Sequence, residues 1–121
     1  MLYTVSLKKN RDFRRVYSRG KSAVNRTLVL YKKPNGLAAN RLGITVASKV
    51  GGAVVRNRVR RRIKEAYRTS EQVFLKGFDL VVVARVRAAD ADYKEIHSAL
   101  FYLSGKLSLL KSPGKDNKTQ A

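Results

Sequence analysis

A dense run of basic side chains between Lys49 and Arg68 is the part of the sequence whose residue types point most directly to chemistry. It reads KVGGAVVRNRVRRRIKEAYR, with five arginines within the seven positions from Arg56 to Arg62. Only Glu65 adds a negative charge, and like charges one helical turn apart destabilise an isolated helix by about 0.2–0.5 kcal/mol per pair. A guanidinium group binds phosphate through two parallel hydrogen bonds. The run therefore predicts a phosphate-rich partner that neutralises this surface.

Gly51 and Gly52 precede the basic segment. A glycine pair before a helix is found in some nucleotide-binding loops, but neither GxxxxGK[ST] nor GxGxxG is present. The glycines are better interpreted as a tight turn that leads a strand into a helix, or that lets backbone approach RNA.

Aromatic residues offer a second kind of chemistry, the stacking of unpaired bases. Phe13 and Tyr17 lie one helical turn apart beside Arg14, Arg15 and Arg19, and such mixtures of rings and cations bind single-stranded nucleic acid. Val16 lies between the two rings, so the same face also fits ordinary core packing. Tyr31 alternates with Leu30 in a strand-like run and fits core or cleft equally.

The overall charge narrows the class of partner. There are 27 Lys and Arg against 8 Asp and Glu, a formal net charge of +19, and such a surface attracts a polyanion. The longest apolar run, from Leu80 to Ala84, is too short to span a bilayer, and the N-terminus has no signal-peptide core. We therefore expect a cytoplasmic protein without a membrane partner or an obligate protein partner.

Metal and hydrolytic sites are not expected on this chain. It has no Cys, and its single histidine, His97, has no second ligand at metal-binding spacing. The acidic residues are too scattered to hold two metal ions for phosphodiester cleavage; they are Asp12, Glu65, Glu71, Asp79, Asp90, Asp92, Glu95 and Asp116.

Periodicity predicts one α+β domain over residues 1–111, followed by a disordered basic tail at 112–121. The predicted order is helix, strands, basic helix, strand, helix. The expected elements are a helix capped by Asn10 and stopped by Gly20, two antiparallel neighbouring strands at Thr27–Lys33 and Arg41–Ser48, a helix from Val55, a doubly buried strand at Phe78–Arg85, and a helix from about Asp92 to Leu110 that Ser112, Pro113 and Gly114 end.

The RNR triplet at Arg56, Asn57 and Arg58 gives the chain a family likeness. Its surroundings resemble the pattern KxGxAVxRNRxxRxxREA[FY]R of the bacterial ribonuclease P protein family. The resemblance extends to NRDFRRVYSRGKS, NRTLVLY, GFDLVVVAR and the Leu-rich last helix, over about residues 6 to 110. Gly52 and Ser48 depart from the family, which usually has Asn or a basic residue at the first and Lys or Arg at the second.

The resemblance implies an α/β sandwich with an unusual left-handed βαβ crossover. It also implies a noncatalytic subunit of ribonuclease P, which removes the 5′ leader of precursor tRNA, with Mg²⁺ held mainly by a catalytic RNA. The implied leader cleft comprises Phe13, Tyr17, Tyr31 and Lys49, and the implied RNA-binding helix carries Arg56, Asn57, Arg58, Arg60, Arg61, Arg62 and Lys64. Lys64 is also implied as electrostatic support for the leader.

Three other classes of function compete with this interpretation. A ribosomal or other structural RNA-binding protein explains the charge and the basic helix equally well, but it predicts no preference for precursor over mature tRNA. An autonomous nuclease is disfavoured by the scattered acids, and a membrane-active protein by the narrow apolar stripe of the basic helix.

Overall fold

The computed structural model describes residues 1–111 and contains five strands and three helices around one sheet. The predicted tail at 112–121 lies outside the described residues. Three short 3₁₀ segments cover Ser48–Val50, Glu71–Val73 and Val86–Asp90. The main elements are β1 (Thr4–Ser6), α1 (Asn10–Arg19), β2 (Lys21–Val24), β3 (Leu28–Pro34), β4 (Asn40–Thr45), α2 (Ala53–Ser70), β5 (Phe78–Ala84) and α3 (Tyr93–Lys106).

The strand order is β1-β4-β5-β3-β2, with β5 in the centre. The prediction that the strands now seen as β3 and β4 are antiparallel neighbours is wrong, because β5 lies between them, antiparallel to β3 and parallel to β4. The apolar run of β5 is covered on both faces, which favours the central position. The short edge strands β1 and β2 were not predicted.

The connection from β4 through α2 to β5 is left-handed, as the resemblance implied. Asn40 and Leu42 turn their side chains toward α2, while the amide of Asn40 and the carbonyl of Leu42 bond to Tyr3 and Leu7 on the β1 side. In an upward strand of L-residues, a residue whose side chain faces the viewer directs its own amide and carbonyl to the right. Seen from α2, β1 therefore lies to the right of β4 and β5 to the left. The crossover is the less common hand.

The helices form a layer on each face of the sheet. α2 and α3 cover the larger core, where Val59, Ile63 and Tyr67 of α2 are almost completely buried. α1 covers the other face with a smaller core of Leu7, Val16 and Val81. The periodicity of α2 was predicted correctly, although the helix begins at Ala53, two residues before Val55.

The ends of α1 differ in part from the prediction. Lys9 rather than Asn10 is the N-terminal cap, and no side chain caps the helix there. Gly20 does end the helix, in an extended conformation. A Cβ at this position would lie 2.5 Å from the carbonyl oxygen of Val16 and 2.6 Å from that of Lys32, so only glycine fits between helix and strand.

α3 ends at Lys106, before the predicted stop. The amide of Ser108, at a φ of 57°, donates to the Gly105 carbonyl, and the amide of Leu109 donates to that of Ser104. This is a Schellman motif in which Ser108, rather than the usual glycine, adopts the left-handed conformation. Lys32 on β3 reaches the Leu107 carbonyl at the same helix end, so a tertiary contact supports a stop that local sequence did not signal.

Glu71 clasps the N-terminal strand to the end of α2. Its two carboxylate oxygens accept hydrogen bonds from the amides of Leu2 at 2.7 Å and Tyr3 at 3.0 Å. Burial alone raises the pKa of Glu71, but hydrogen bonding to the Thr4 side chain and to the two amides, together with the nearby N-terminal ammonium group, outweighs it and lowers the pKa below its usual value. The clasp fixes β1 beside β4.

Replacing Glu71 by Gln is expected to lower the free energy of unfolding by about 1–3 kcal/mol near neutral pH, because the acceptor loses its charge and one of its two oxygens becomes an NH₂ donor that faces a backbone amide. Since the pKa of Glu71 is lower in the folded state, its contribution is present above the unfolded-state pKa and disappears as the pH falls through the folded-state pKa. The variant should therefore lose less stability on acidification than the parent. Urea unfolding across this acidic range measures both effects.

Glu65→Gln is the matched control. Glu65 also has a lowered pKa, caused chiefly by its hydrogen bond to Arg68, but its carboxylate is exposed. Solvent screens such a pair, so little change is expected. Equal losses in the two variants would contradict a specific role for the clasp.

Candidate RNA-binding surfaces

The basic residues of α2 point in several directions. Val59, Ile63, Ala66 and Tyr67 take the buried face, and the predicted RNA-binding residues occupy the remainder. Asn57, Arg61 and Lys64 are exposed, whereas Arg56, Arg58, Arg60 and Arg62 are partly buried.

Two of the arginines also hold α2 against the segment that follows β5. Arg58 donates to the carbonyl of Ala89 at 3.2 Å, and Arg62 donates to that of Ala91 at 2.7 Å. Arg60 bonds to the side chain of Asn57 at 2.9 Å. These contacts use a fraction of the five donors on each guanidinium, so the side chains are oriented and still have donors for a ligand.

Unsatisfied donors remain at the start of the basic helix. Within residues 1–111, the Nε atoms of Arg56 and Arg58 are buried without a hydrogen-bond partner. A buried donor without an acceptor is costly.

The structure brings together Phe13, Tyr17 and Tyr31 between α1 and the sheet. The rings of Tyr17 and Tyr31 meet edge to face with centroids 4.9 Å apart, and those of Phe13 and Tyr17 are 6.4 Å apart. The Tyr17 hydroxyl lies 2.9 Å from that of Thr45. At 39% exposure, Tyr17 presents its ring to solvent.

The sequence left open whether these rings belong to the core or to a cleft, and the structure places them at the boundary between the two. Phe13 and Tyr31 pack against the small core beneath α1, and Val16 between the helix rings is fully buried. Phe13 also lines two surface clefts. The aromatic cluster is therefore the outer surface of the small core.

Gly43 on β4 makes room for the ring of Phe13. A Cβ at this position would lie 2.5 Å from Cζ of Phe13, so the ring rests directly on backbone. Sequence reasoning missed Gly43, because an isolated glycine inside a strand pattern only hints at a close approach.

Lys49 lies in a basic groove on the same face of the sheet as Tyr31. Its apolar wall includes Val29 and Val83, which pair across β3 and β5 two residues from the pair of Tyr31 and Val81. The groove gathers cations that sequence reasoning did not single out, namely Arg26, Arg85 and Arg87. They follow or precede strands that are distant in sequence, so no local pattern signals them.

Lys64 and Arg60 line a different cleft of about 430 Å³, beside β1 and β4, with Phe13 on its other side. Lys64 therefore does not share the groove of Lys49, although Phe13 connects its cleft to the aromatic cluster. The two predicted sources of charge therefore line separate clefts.

A cluster of two buried carboxylates and one partly exposed guanidinium group fixes α1 on the sheet. Arg41 of β4 donates two hydrogen bonds of 2.7 Å to Asp79 of β5 and lies 3.6 Å from Asp12 of α1. The hydrogen bonds to Asp79 raise the pKa of Arg41. Asp12 and Asp79 are therefore occupied as partners of one guanidinium group.

Other features limit the chemistry that the described part of the chain offers. Residues 1–111 contain no group of three or more His, Cys, Asp or Glu side chains placed to hold a metal ion, and no helix among them is long and apolar enough to cross a membrane. His97 is partly buried, with Nε2 3.0 Å from the Ser70 hydroxyl.

Comparison with known proteins gives a consistent match over nearly the whole chain. The family model described as Ribonuclease P matches residues 1–108. The ribonuclease P protein component of Clostridium botulinum strain Langeland is 50% identical over 109 residues, 89% of this chain and 93% of the relative. That of Alkaliphilus oremlandii is 45% identical, over 88% of this chain and 93% of the relative.

Solved structures agree with the sequence matches. The RNase P protein of Staphylococcus aureus has a TM-score of 0.81 at 34% identity and covers 88% of this chain and 97% of its own. The RNase P protein of Thermotoga maritima has a TM-score of 0.74 at 34% identity, covering 80% and 92%. On the sequence motif, the fold and these matches, the chain belongs to the ribonuclease P protein family.

Proposed function

We propose that this protein is the noncatalytic subunit of ribonuclease P and that it holds the unpaired 5′ leader of precursor tRNA while a partner RNA carries the active site. The observation that supports this most strongly is the combination of two surfaces. A basic helix covers one face of the sheet. On the other face lies the aromatic cluster of Phe13, Tyr17 and Tyr31, called the aromatic cleft from here on, and the basic groove of Lys49 continues it. The bacterial origin of the relatives supports a cytoplasmic location for this function.

The proposed contribution is positioning and charge neutralisation. Stacking on Tyr17 and Tyr31 would hold leader bases, while Lys49, Arg26 and Arg85 would attract the phosphates that follow. The exposed and partly buried arginines of α2 would bind phosphates of the catalytic RNA. Hydrolysis of one phosphodiester bond then leaves a mature tRNA with a 5′ phosphate.

Mg²⁺ enters this proposal as a cofactor of the partner RNA. The described carboxylates do not converge on a metal site, and Asp12 and Asp79 already pair with Arg41. We therefore assign no step of the reaction to a metal held by this chain.

The protein without RNA is expected to cleave nothing, and adding it to a bacterial ribonuclease P RNA at low Mg²⁺ should restore leader removal. The Lys and Arg side chains of the bound protein neutralise phosphates that Mg²⁺ otherwise screens. The effect is therefore expected at low Mg²⁺. Gel analysis of 5′-labelled precursor measures it. Metal-dependent cleavage by protein free of RNA and nuclease would support the autonomous nuclease instead.

Arg61→Ala and Arg56→Ala are expected to weaken binding to the catalytic RNA. Each lost phosphate contact should reduce the slope of the logarithm of the binding constant against the logarithm of the salt concentration by about 0.7–0.9. Preference for precursor within the assembled enzyme should survive. Arg62→Ala is the informative comparison, because Arg62 also bonds to Ala91 and its loss should lower the melting temperature as well. Unchanged RNA affinity in all three variants would count against the basic helix as the interface.

Tyr17→Ala is expected to reduce the preference for precursor over mature tRNA by about 1–3 kcal/mol, the contribution of one stacked base. Affinity for the catalytic RNA should hardly change. Tyr17→Phe is the matched control, since it removes the hydroxyl that meets Thr45 but keeps the ring. Binding of both tRNAs to the assembled enzyme, with melting curves, provides the measurement.

Gly43→Ala extends this test to Phe13 without truncating the ring. The added Cβ must displace Phe13, so leader preference should fall together with some stability. If Tyr17→Ala and Gly43→Ala both leave the preference for precursor intact, the leader does not bind in this cleft.

A further inference from the structure

The outward side of α3 carries an array of aromatic rings that the functions above do not use. Tyr93, His97 and Phe101 follow one another at intervals of four residues. The ring centroids of Tyr93 and His97 are 5.8 Å apart, and those of His97 and Phe101 are also 5.8 Å apart with planes only 10° from parallel. Phe101 is 40% exposed and its neighbour Tyr102 is 58% exposed.

The two inner rings, those of Tyr93 and His97, are each hydrogen-bonded to α2. The Tyr93 hydroxyl lies 2.9 Å from that of Thr69, and His97 Nε2 lies 3.0 Å from the Ser70 hydroxyl. These bonds fix the orientation of the two rings. Rings held in this way offer a partner their apolar surface and π-electrons.

Positive charge accompanies the rings. Lys94 is exposed on the same side of α3 as Phe101, and Lys106 Nζ lies 5.7 Å from the centre of the Tyr102 ring. The two acids at the start of the helix already have partners. The Asp92 side chain caps the helix, and Glu95 forms an ion pair with Arg87 at 3.0 Å. The surface is therefore aromatic and basic.

We propose that this α3 face, formed by Tyr93, His97, Phe101 and Tyr102 with Lys94 and Lys106, is a second binding site for unpaired RNA. Rings that stack bases, next to cations that attract phosphates, are the combination that single-stranded nucleic acid requires. A second copy of the chain fits poorly, because each copy carries a formal charge of +19 and lysines lie on the face itself. α3 packs on the opposite side of the sheet from α1, so this site is separate from the aromatic cleft.

The chain contains no Trp, so Phe101→Trp introduces a single indole as a reporter within the site. Single-stranded decauridylate should quench its fluorescence to saturation, because a base stacked on the indole quenches it, while an RNA duplex of the same length should not. Leu37→Trp is the control, as Leu37 is 53% exposed in the turn between β3 and β4. There, decauridylate should cause little quenching.

Phe101→Ala tests the site in the otherwise native chain. With the aromatic cleft disabled by Tyr17→Ala, the additional Phe101→Ala change should weaken decauridylate binding by about fivefold or more. Melting curves establish that the variants are folded. Equal quenching of the indole in the Phe101→Trp and Leu37→Trp proteins, or bound decauridylate that leaves the Phe101→Trp indole unquenched, would overturn the proposal and leave the face to a protein partner.

The assembled enzyme distinguishes the source of the RNA. Quenching of the Phe101→Trp indole on addition of the catalytic RNA alone would assign the site to an unpaired segment of that RNA. Quenching that appears only with precursor tRNA would assign it to the substrate. No quenching with either, under conditions where both bind, would again contradict an RNA site on α3.

Discussion

The parallel pairing of β4 with β5 is the constraint on which the rest of the molecule depends. Parallel neighbours need a long crossover, here supplied by α2, and their carboxyl ends meet at one edge of the sheet. That edge carries the segments Ser48–Val50 and Val86–Asp90 and the beginning of α2. Lys49, Arg85 and the first arginines of the basic helix are thereby gathered at one end of the sheet, although they are distant in sequence.

Charge repulsion within α2 is offset in two ways. Burial of Val59, Ile63 and Tyr67 stabilises the helix against the sheet, and backbone carbonyls after β5 accept hydrogen bonds from Arg58 and Arg62. These contacts stabilise the positively charged helix within the fold. Arginines that are already oriented lose less conformational entropy when they bind phosphate.

The proposed aromatic cleft is also part of a core. Phe13 rests on the backbone of Gly43, and Tyr31 covers the small core under α1. The ion cluster of Asp12, Arg41 and Asp79 fixes the helix that carries two of the rings. A ring held by its neighbours is pre-organised for stacking, but mutation of Phe13 alone mixes loss of stability with loss of binding. Tyr17, being more exposed, separates the two effects.

Local sequence patterns were enough to predict the buried face of α2, the burial of β5 on both faces, the strongly positive charge and the family to which the RNR motif belongs. Which strands pair and which side chains meet depended on the tertiary structure. Alternation along β3 and β4 does not reveal that β5 lies between them, and a strand glycine does not reveal which ring rests on it. The grouping of Lys49 with Arg26, Arg85 and Arg87, and the end of α3 at Lys106, likewise depend on contacts between distant segments. Periodicity reports which side of an element is buried, whereas strand order and side-chain contacts follow from how the whole chain packs.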